Sequence, residues 1–385
     1  MSDQIDSMAQ TPQQGGSLPP CKWFDRIMII NLENTDYPEA IMTAPFNILN
    51  HEPFNGTLLT NFRGLAHPSQ PNYFAQVVGE TVVTDDAVTT LNASCVVDLL
   101  ERKGVSWAAY NEGYPDDWIG EKPFLGEHGA KGLYVRRHNP LASISSVQNT
   151  PSRAAKIKAG EAFKRDLDAG TLPQYVYYTP NQYNNAHDTN IKYAGAYIAE
   201  FLLPLLSHPF FTKQRSLFVL TFDESAFWVG KNRVATWLLG TAVKTSSFPE
   251  DSNSSIDKIA YAIQNLDLET PVEEPIETTP AVPVSQPASP KGTNGSFLST
   301  LRKQKSNGGM STSSSGSDSG PTPSASLFGG LFGKPHAEKG FCDKTKLNHY
   351  SLLRTVEDNW DLGNLGRKDV DATSFGHLLR PFFDV

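Results

Sequence analysis

The chain has 385 residues, among them 29 glycines and 27 prolines, and its 41 acidic against 33 basic side chains give a formal net charge of −8. That length fits one large domain or two ordinary ones. The acidic balance argues against a nucleic-acid-binding face, and no stretch approaches the roughly 18 consecutive apolar residues of a membrane span.

Residues 1–22 are rich in Gln, Ser, Pro and Gly and are expected to be a disordered tail. No apolar signal segment is visible there, so a cytoplasmic location is the expectation. Three cysteines, Cys21, Cys95 and Cys342, are too few and too scattered for a disulfide framework. Order is expected from Trp23. The apolar run Arg26–Leu32 reads as a buried strand that runs into Glu33-Asn34. Residues 58–66 read as a second strand, ending in His67-Pro68-Ser69, and Ser69 opens a helical stretch bearing Tyr73, Phe74, Val77 and Val78.

A helix is expected over 94–103, capped by Ser94 and stopped by Gly104, with a strand over 105–110 directly after it. Tyr175–Thr179 is a third apolar strand and runs into Pro180-Asn181, with His187-Asp188 shortly after. A long helix follows over 189–207, bent or ended at Pro204. Ser216–Phe222 is a fourth strand, ending in Asp223-Glu224, and 233–240 a further buried one. The character then changes. Six prolines fall between Pro271 and Pro290, and 303–326 is mostly Ser and Gly. Such stretches bury too little apolar surface to offset the entropy of ordering. The expected organisation is one α/β domain, 23–245 and 341–385, interrupted by a disordered insertion at 246–340.

In an open α/β sheet, ligands bind beyond the carboxyl ends of the strands. Four strands here end in carboxylate, amide, hydroxyl and imidazole groups. Glu33-Asn34 and Asp223-Glu224 offer oxygen ligands of the kind hard cations accept, although Glu33-Asn34-Thr35-Asp36 is also good turn chemistry. Ser69 at a helix start is placed to bind or attack a phosphate, and is equally well placed as a simple cap. Arg233 and the pair Arg136-Arg137 beside His138 can clamp phosphate oxygens, while most charged loop residues are merely solvated. His67, His187, Asp188, Asn181 and His349 complete a set of parts suited to metal-assisted phosphoryl transfer.

The segments 24–26, 32–35, His67-Pro68-Ser69 with Pro71-Asn72-Tyr73, and 97–104 resemble, in order, the phosphoesterase family of fungal acid phosphatases. So do 134–140, 179–181, 187–189, 221–224, 232–234, 238–240 and 348–351. That family is related to bacterial acid phosphatases and phospholipases C within the alkaline-phosphatase superfamily. The resemblance implies a three-layer α/β/α fold with a mostly parallel central sheet and hydrolysis of phosphate monoesters. It also implies Ser69 as nucleophile, a divalent metal held by Glu33, Asn34, Asp223 and Glu224, and His67, His187, Asp188 and His349 as ligands or acid–base groups. Asn72, Arg137, His138, Asn181 and Arg233 would bind the substrate. Where the family commonly has Thr, Glu and Asp-Gly, this chain has Ala66, Gln70 and Asn185-Ala186.

Two other readings stand beside this one. The same centre with an apolar pocket would serve a phospholipase C-like phosphodiesterase. The loss of a carboxylate at Asn185 would suit a weakened paralogue that meets protein partners, or kinases, through its 246–340 insertion.

Overall fold

A computed structural model describes residues 19–115, 122–227, 230–245, 258, 261–262 and 337–382. The tail expected over 1–22 lies outside the described residues up to position 18, while at its end the Lys22 N–H donates to the Asn359 carbonyl at 2.8 Å; almost all of the insertion expected over 246–340 lies outside them as well. Among the described residues there are ten strands: β1 Arg26–Leu32, β2 Thr57–Leu59, β3 Phe62–Arg63, β4 Trp107–Asn111, β5 Ile157–Ala159, β6 Tyr175–Thr179, β7 Ser216–Phe222, β8 Thr236–Leu239, β9 Cys342–Asp343 and β10 Leu347–Asn348. Eight form one sheet in the order β5-β4-β6-β1-β7-β8-β2-β9. Only β8 runs against its neighbours; every other pairing in this sheet is parallel. The α/β class and the mostly parallel sheet are as the sequence led one to expect.

The central strands owe their places to composition. All seven residues of β1 and of β7 are buried, as are all five of β6. Continuous apolar runs of this kind belong to parallel strands covered on both faces. Each fully buried Ile or Leu contributes roughly 1.5–3 kcal/mol by leaving water. β1 lies between β6 and β7, in register Ile27 to Tyr175 and Ile27 to Leu217. Glu33 and Asp223 therefore emerge side by side at the carboxyl rim.

Several expected boundaries move. The run 58–66 divides at a turn after Leu59 into β2 and the two-residue β3, which pairs with β10 rather than with the main sheet. The helix assigned to 94–103 is Val96–Arg102, and its N-cap is Cys95 rather than Ser94, because the Asp98 carboxylate accepts the Cys95 N–H at 2.9 Å. The strand set at 105–110 is β4, Trp107–Asn111. The long helix is Ile191–Ser207, with Asn190 accepting from the Lys192 and Tyr193 N–H groups, and it runs through Pro204. The strand set at 233–240 begins at Thr236.

The helix that begins at Ser69, Gln70–Val78, is buried along its whole length. Gly79 ends it in the left-handed conformation (φ 77°), where a side chain would be strained. A carboxyl-terminal loop clamps this end. Arg367 Nη1 donates to the Val78 carbonyl at 2.7 Å, and Asp369 accepts the Leu365 and Arg367 N–H groups. Behind the loop sits buried Glu357. Burial, with Asp369 beside it, raises its carboxyl to about 9, while Arg354 at 4.0 Å and Asp358 are its other charged neighbours.

Glu357 thus keeps a proton in the folded protein that the unfolded chain releases between about pH 4.5 and 9. Over that window stability falls as pH rises. Glu357→Gln, which keeps the shape without the ionisation, should therefore raise the melting temperature more at pH 8 than at pH 5. Thermal unfolding at the two pH values measures this; a gain of equal size at both would rule out a buried neutral acid.

Candidate active site

Two loops at the carboxyl rim and the start of one helix build the centre of the site. Glu33 and Asn34 follow β1, Asp223 and Glu224 follow β7, and Ser69 is the N-cap of Gln70–Val78. Glu33, Ser69, Asp223 and Glu224 are all buried. The Ser69 hydroxyl does not cap its helix. Asp86 takes that part, accepting the Gln70 N–H at 2.9 Å. Ser69 Oγ instead donates toward Glu33 Oε2 at 3.1 Å and Glu224 Oε1 at 3.5 Å. It also lies close enough to Asp223 to favour that residue's charged form.

Packing three carboxylates around one hydroxyl, out of water, is costly. Burial first, then the Asp223 charge, hold the Glu33 carboxyl well above its ordinary range. Burial raises Asp223 to about 6; burial and Asp223 together raise Glu224 to about 9. Surrounding donors relieve part of this cost. Tyr73, one helical turn after Ser69 and on the same face, donates its hydroxyl to Glu33 Oε1. The Asn34 N–H donates to Asp223 Oδ1 at 3.3 Å, and Asn72 Nδ2 to Glu224 Oε2 at 3.4 Å. His67 Nδ1 lies 2.9 Å from Glu224 Oε2. Burial lowers the His67 pKa, and with Glu224 raised the two meet as a neutral pair.

A second ring of residues surrounds Glu33. His138 stacks on Tyr73 with 5.0 Å between ring centroids, and its Nε2 lies 3.5 Å from Glu33 Oε1. Burial, then the Arg137 and His187 charges, push His138 well below the ordinary histidine range, so it is neutral. His187 follows at 6.0 Å from His138, with Nδ1 2.6 Å from Asp188 Oδ1 and Nε2 3.4 Å from Arg137 Nη2. Arg137 also approaches Asp86, at 3.6 Å. His138, His187, Asp188 and Arg137 thus form a chain of contacts leading from Glu33, while His67 meets Glu224.

Three of the residues singled out from sequence point elsewhere. His349 is buried, with Nε2 2.6 Å from the Asp223 carbonyl oxygen and Nδ1 3.3 Å from Gln76 Nε2, so it braces the acid loop from behind. Asn181 accepts the Tyr183 and Asn184 N–H groups and shapes its own turn. Arg233 turns away toward the Thr60 carbonyl at 2.6 Å and Glu338 at 3.3 Å. Asn185 does not face the hydroxyl either: its Oδ1 accepts the His187 N–H at 2.8 Å, and its Nδ2 donates to Gln182 Oε1 at 3.2 Å. Two contributors went unread in the sequence. Tyr73 looked like part of an apolar helix face, and its spacing of four from Ser69 was the available signal. Asp86 lies in a polar stretch with no pattern around it.

The donors suit a hard divalent cation: they are oxygens, clustered, acidic and dry. The buried Oδ2 of Asp223 has no hydrogen-bond partner among the described residues. A cation there would reverse the carboxylates' electrostatic cost. As they stand, no three His, Cys, Asp or Glu side chains among the described residues form a finished metal cage. The fit is one of chemistry and charge.

Ala186, which stands where the family commonly has glycine, adopts a left-handed backbone (φ 82°) beside Asn185. That conformation costs an alanine roughly 1–2 kcal/mol. Glycine would return about 0.4–1 kcal/mol of entropy to the unfolded chain. The strain is the larger effect, so Ala186→Gly should stabilise the protein by about 0.5–1 kcal/mol in urea unfolding. A loss of stability would show that the turn does not hold this strain.

Residues 48–229 match the model of the Phosphoesterase family. The chain is 41% identical over 241 residues to a probable acid phosphatase of Kluyveromyces lactis, covering 62% of this chain and 55% of that one. It is 38% identical over 247 residues to a phosphate-repressible acid phosphatase of Penicillium chrysogenum, covering 62% and 56%. The chain thus spans little more than half the length of these curated relatives. Among solved structures, a protein of the alkaline phosphatase superfamily from Vibrio parahaemolyticus aligns over 58% of this chain and 62% of its own, at 11% identity and a TM-score of 0.38. No helix among the described residues is long and apolar enough to cross a membrane. The stretch that matches the Phosphoesterase family, residues 48–229, carries Ser69, His67, His187 and the Asp223-Glu224 pair, and Glu33 lies outside it.

Proposed function

We propose that this protein is a phosphomonoesterase of acid-phosphatase type that transfers the phosphoryl group first to Ser69 and then to water. The observation that carries this reading is the Ser69 hydroxyl, buried among Glu33, Asp223 and Glu224 rather than spent on its own helix. A structural cap needs one acceptor-to-backbone bond and no cluster of acids. A nucleophile needs a proton acceptor in reach and a neighbourhood that tolerates an oxyanion. The relatives' names, acid phosphatases both, support the same chemistry.

Ser69 Oγ would form a bond to phosphorus while the bond from phosphorus to the ester oxygen breaks. The serine proton passes to the Asp223 carboxylate, the least raised of the three acids and close enough to Ser69 to be favoured in its charged form. His187, oriented by Asp188, supplies a proton to the departing alcohol oxygen. In the second half, His187 takes a proton from water as water's oxygen attacks phosphorus, and Ser69 leaves with its proton restored. Arg137 and neutral His138 hold the phosphate oxygens on that side. Glu33, Asn34, Asp223 and Glu224 would hold a divalent cation, which when bound offsets developing negative charge on phosphoryl and serine oxygens. The monoester reading is preferred to the diester one because the acid phosphatases match at 38–41% identity, whereas a non-hemolytic phospholipase C of Burkholderia pseudomallei matches at 26% over 140 residues.

Release of phosphate from a chromogenic monoester tests the assignment. Ser69→Ala should lower kcat by roughly 10³-fold or more; turnover close to that of the parent protein would exclude serine as nucleophile. The cation has a test that needs no turnover. Protein stripped with chelator should melt at a lower temperature, and a hard divalent cation at 100 times its dissociation constant should restore about 2.7 kcal/mol. Glu224→Gln should blunt that gain. A melting temperature indifferent to chelator and to every divalent ion would remove the metal from the proposal.

A further inference from the structure

The resting place of Arg233 is the starting point. It lies in a groove of about 470 Å³ lined by Thr60, Asn61, Arg63, Arg233, Glu338 and Lys344 among others. Three cations thus face a single carboxylate, in a chain whose net charge is −8. The two guanidinium groups are pinned rather than free to wander. Arg63 Nη1 donates to the Gly230 and Lys231 carbonyls, and its Nη2 reaches Asn61 Oδ1 at 3.4 Å. Arg233 Nε donates to the Thr60 carbonyl at 2.6 Å, Nη2 meets Glu338, and the guanidinium carbon sits 3.4 Å from the centroid of the Tyr37 ring. Each guanidinium carries five N–H donors in a fixed fork. The bonds named here use at most three on Arg63 and two on Arg233.

The topology sets this groove on the same rim as Ser69. β2 and β9 run parallel to each other and antiparallel to β8, which is itself antiparallel to β7. The carboxyl ends of β2 and β9, bearing Thr60, Asn61 and Lys344, therefore face the same way as those of β1 and β7. β8 is reversed, so it begins there, just after Arg233. The groove lies two to three strands along from Asp223 in the order β7-β8-β2-β9. At 4.7–4.9 Å per strand this is about 10–15 Å. The two places are also tied covalently and by hydrogen bonds. Asn232 accepts the Ser225 N–H at 2.8 Å, donates to the Ala66 carbonyl at 3.0 Å, and is followed directly by Arg233.

We infer, resting on the phosphomonoesterase reading, that the substrate is a phosphate ester carrying a second anionic group about 10–15 Å from the first. The ester phosphate lies at Ser69, and the second group, phosphate or carboxylate, lies in the groove against Arg63, Arg233 and Lys344. A purely solvated charge face would not need guanidinium groups fixed on backbone carbonyls. A groove serving stability alone would match its cations with carboxylates, whereas among its lining residues Glu338 is the one acid, shared between Arg233 at 3.3 Å and the Tyr37 hydroxyl at 3.0 Å. Pre-held forks lose little entropy on meeting a second set of anionic oxygens, and such bonds are the stronger kind.

The probes are alkane α,ω-bisphosphates of graded length and the matching ω-hydroxyalkyl monophosphates. For the length that spans the two places, kcat/KM should favour the bisphosphate by about tenfold, mainly through KM. Raising salt should shrink the preference. In Arg63→Gln, and separately in the exposed Lys344→Gln, the ratio between the two esters should fall toward one. A ratio near one in the parent protein at every length, or a ratio untouched by both substitutions, would overturn the inference. Should neither ester be hydrolysed, the phosphatase reading itself fails. Calorimetric binding then decides the groove alone: a tenfold tighter bisphosphate supports it, and equal affinities end it.

Discussion

Everything at the rim depends on one electrostatic conflict. Glu33, Asp223 and Glu224 are buried together around a single hydroxyl; burial pushes each toward its neutral form, and the Asp223 charge adds to the push on Glu33 and Glu224. A fold retains such a cluster only when the rest of the structure holds it in place. Here the restraint is layered. Tyr73 and His138 stack above Glu33, Asn72 ties Glu224 to the Leu65 and Ala66 backbone, and His349 fixes the Asp223 carbonyl from below. Gln76 links that base to the sheet through Asn31 and Tyr177.

This arrangement explains why the helix starting at Ser69 is buried throughout although several of its residues are polar. Ser69, Asn72, Tyr73 and Gln76 lie at spacings of three and four, so they share one face. That face meets acids and amides rather than aliphatic side chains. Its far end is closed by Arg367 on the Val78 carbonyl. The helix is therefore held at one end by Asp86 and at the other by Arg367, which fixes Ser69 without using its hydroxyl for the purpose.

Much of the fold was legible in the sequence, for a simple reason. β1, β6 and β7 are buried on both faces, and uninterrupted apolar runs leave little ambiguity. Short strands were harder: β2 and β3 looked like one run because no glycine or proline marks the turn at Thr60-Asn61. Cys95 displaced Ser94 as a cap because Asp98 reaches the Cys95 N–H, a contact that composition does not announce. At the site, strand ends located Glu33, Ser69, Asp223 and Glu224, since topology carries such residues to one rim. Tyr73 was hidden because a tyrosine in an apolar helix face looks like core. Arg233 was misplaced in expectation because a motif gives the residue and not the direction of its side chain.

The reversal of β8 has a consequence of its own. Because that strand begins at the rim, the eleven positions from Asp223 to Arg233 connect an acid pair at one end to a guanidinium at the other. The placement of the acid pair and that of the Arg233 guanidinium thus rest on one stretch of chain, and an insertion or deletion there would bear on both.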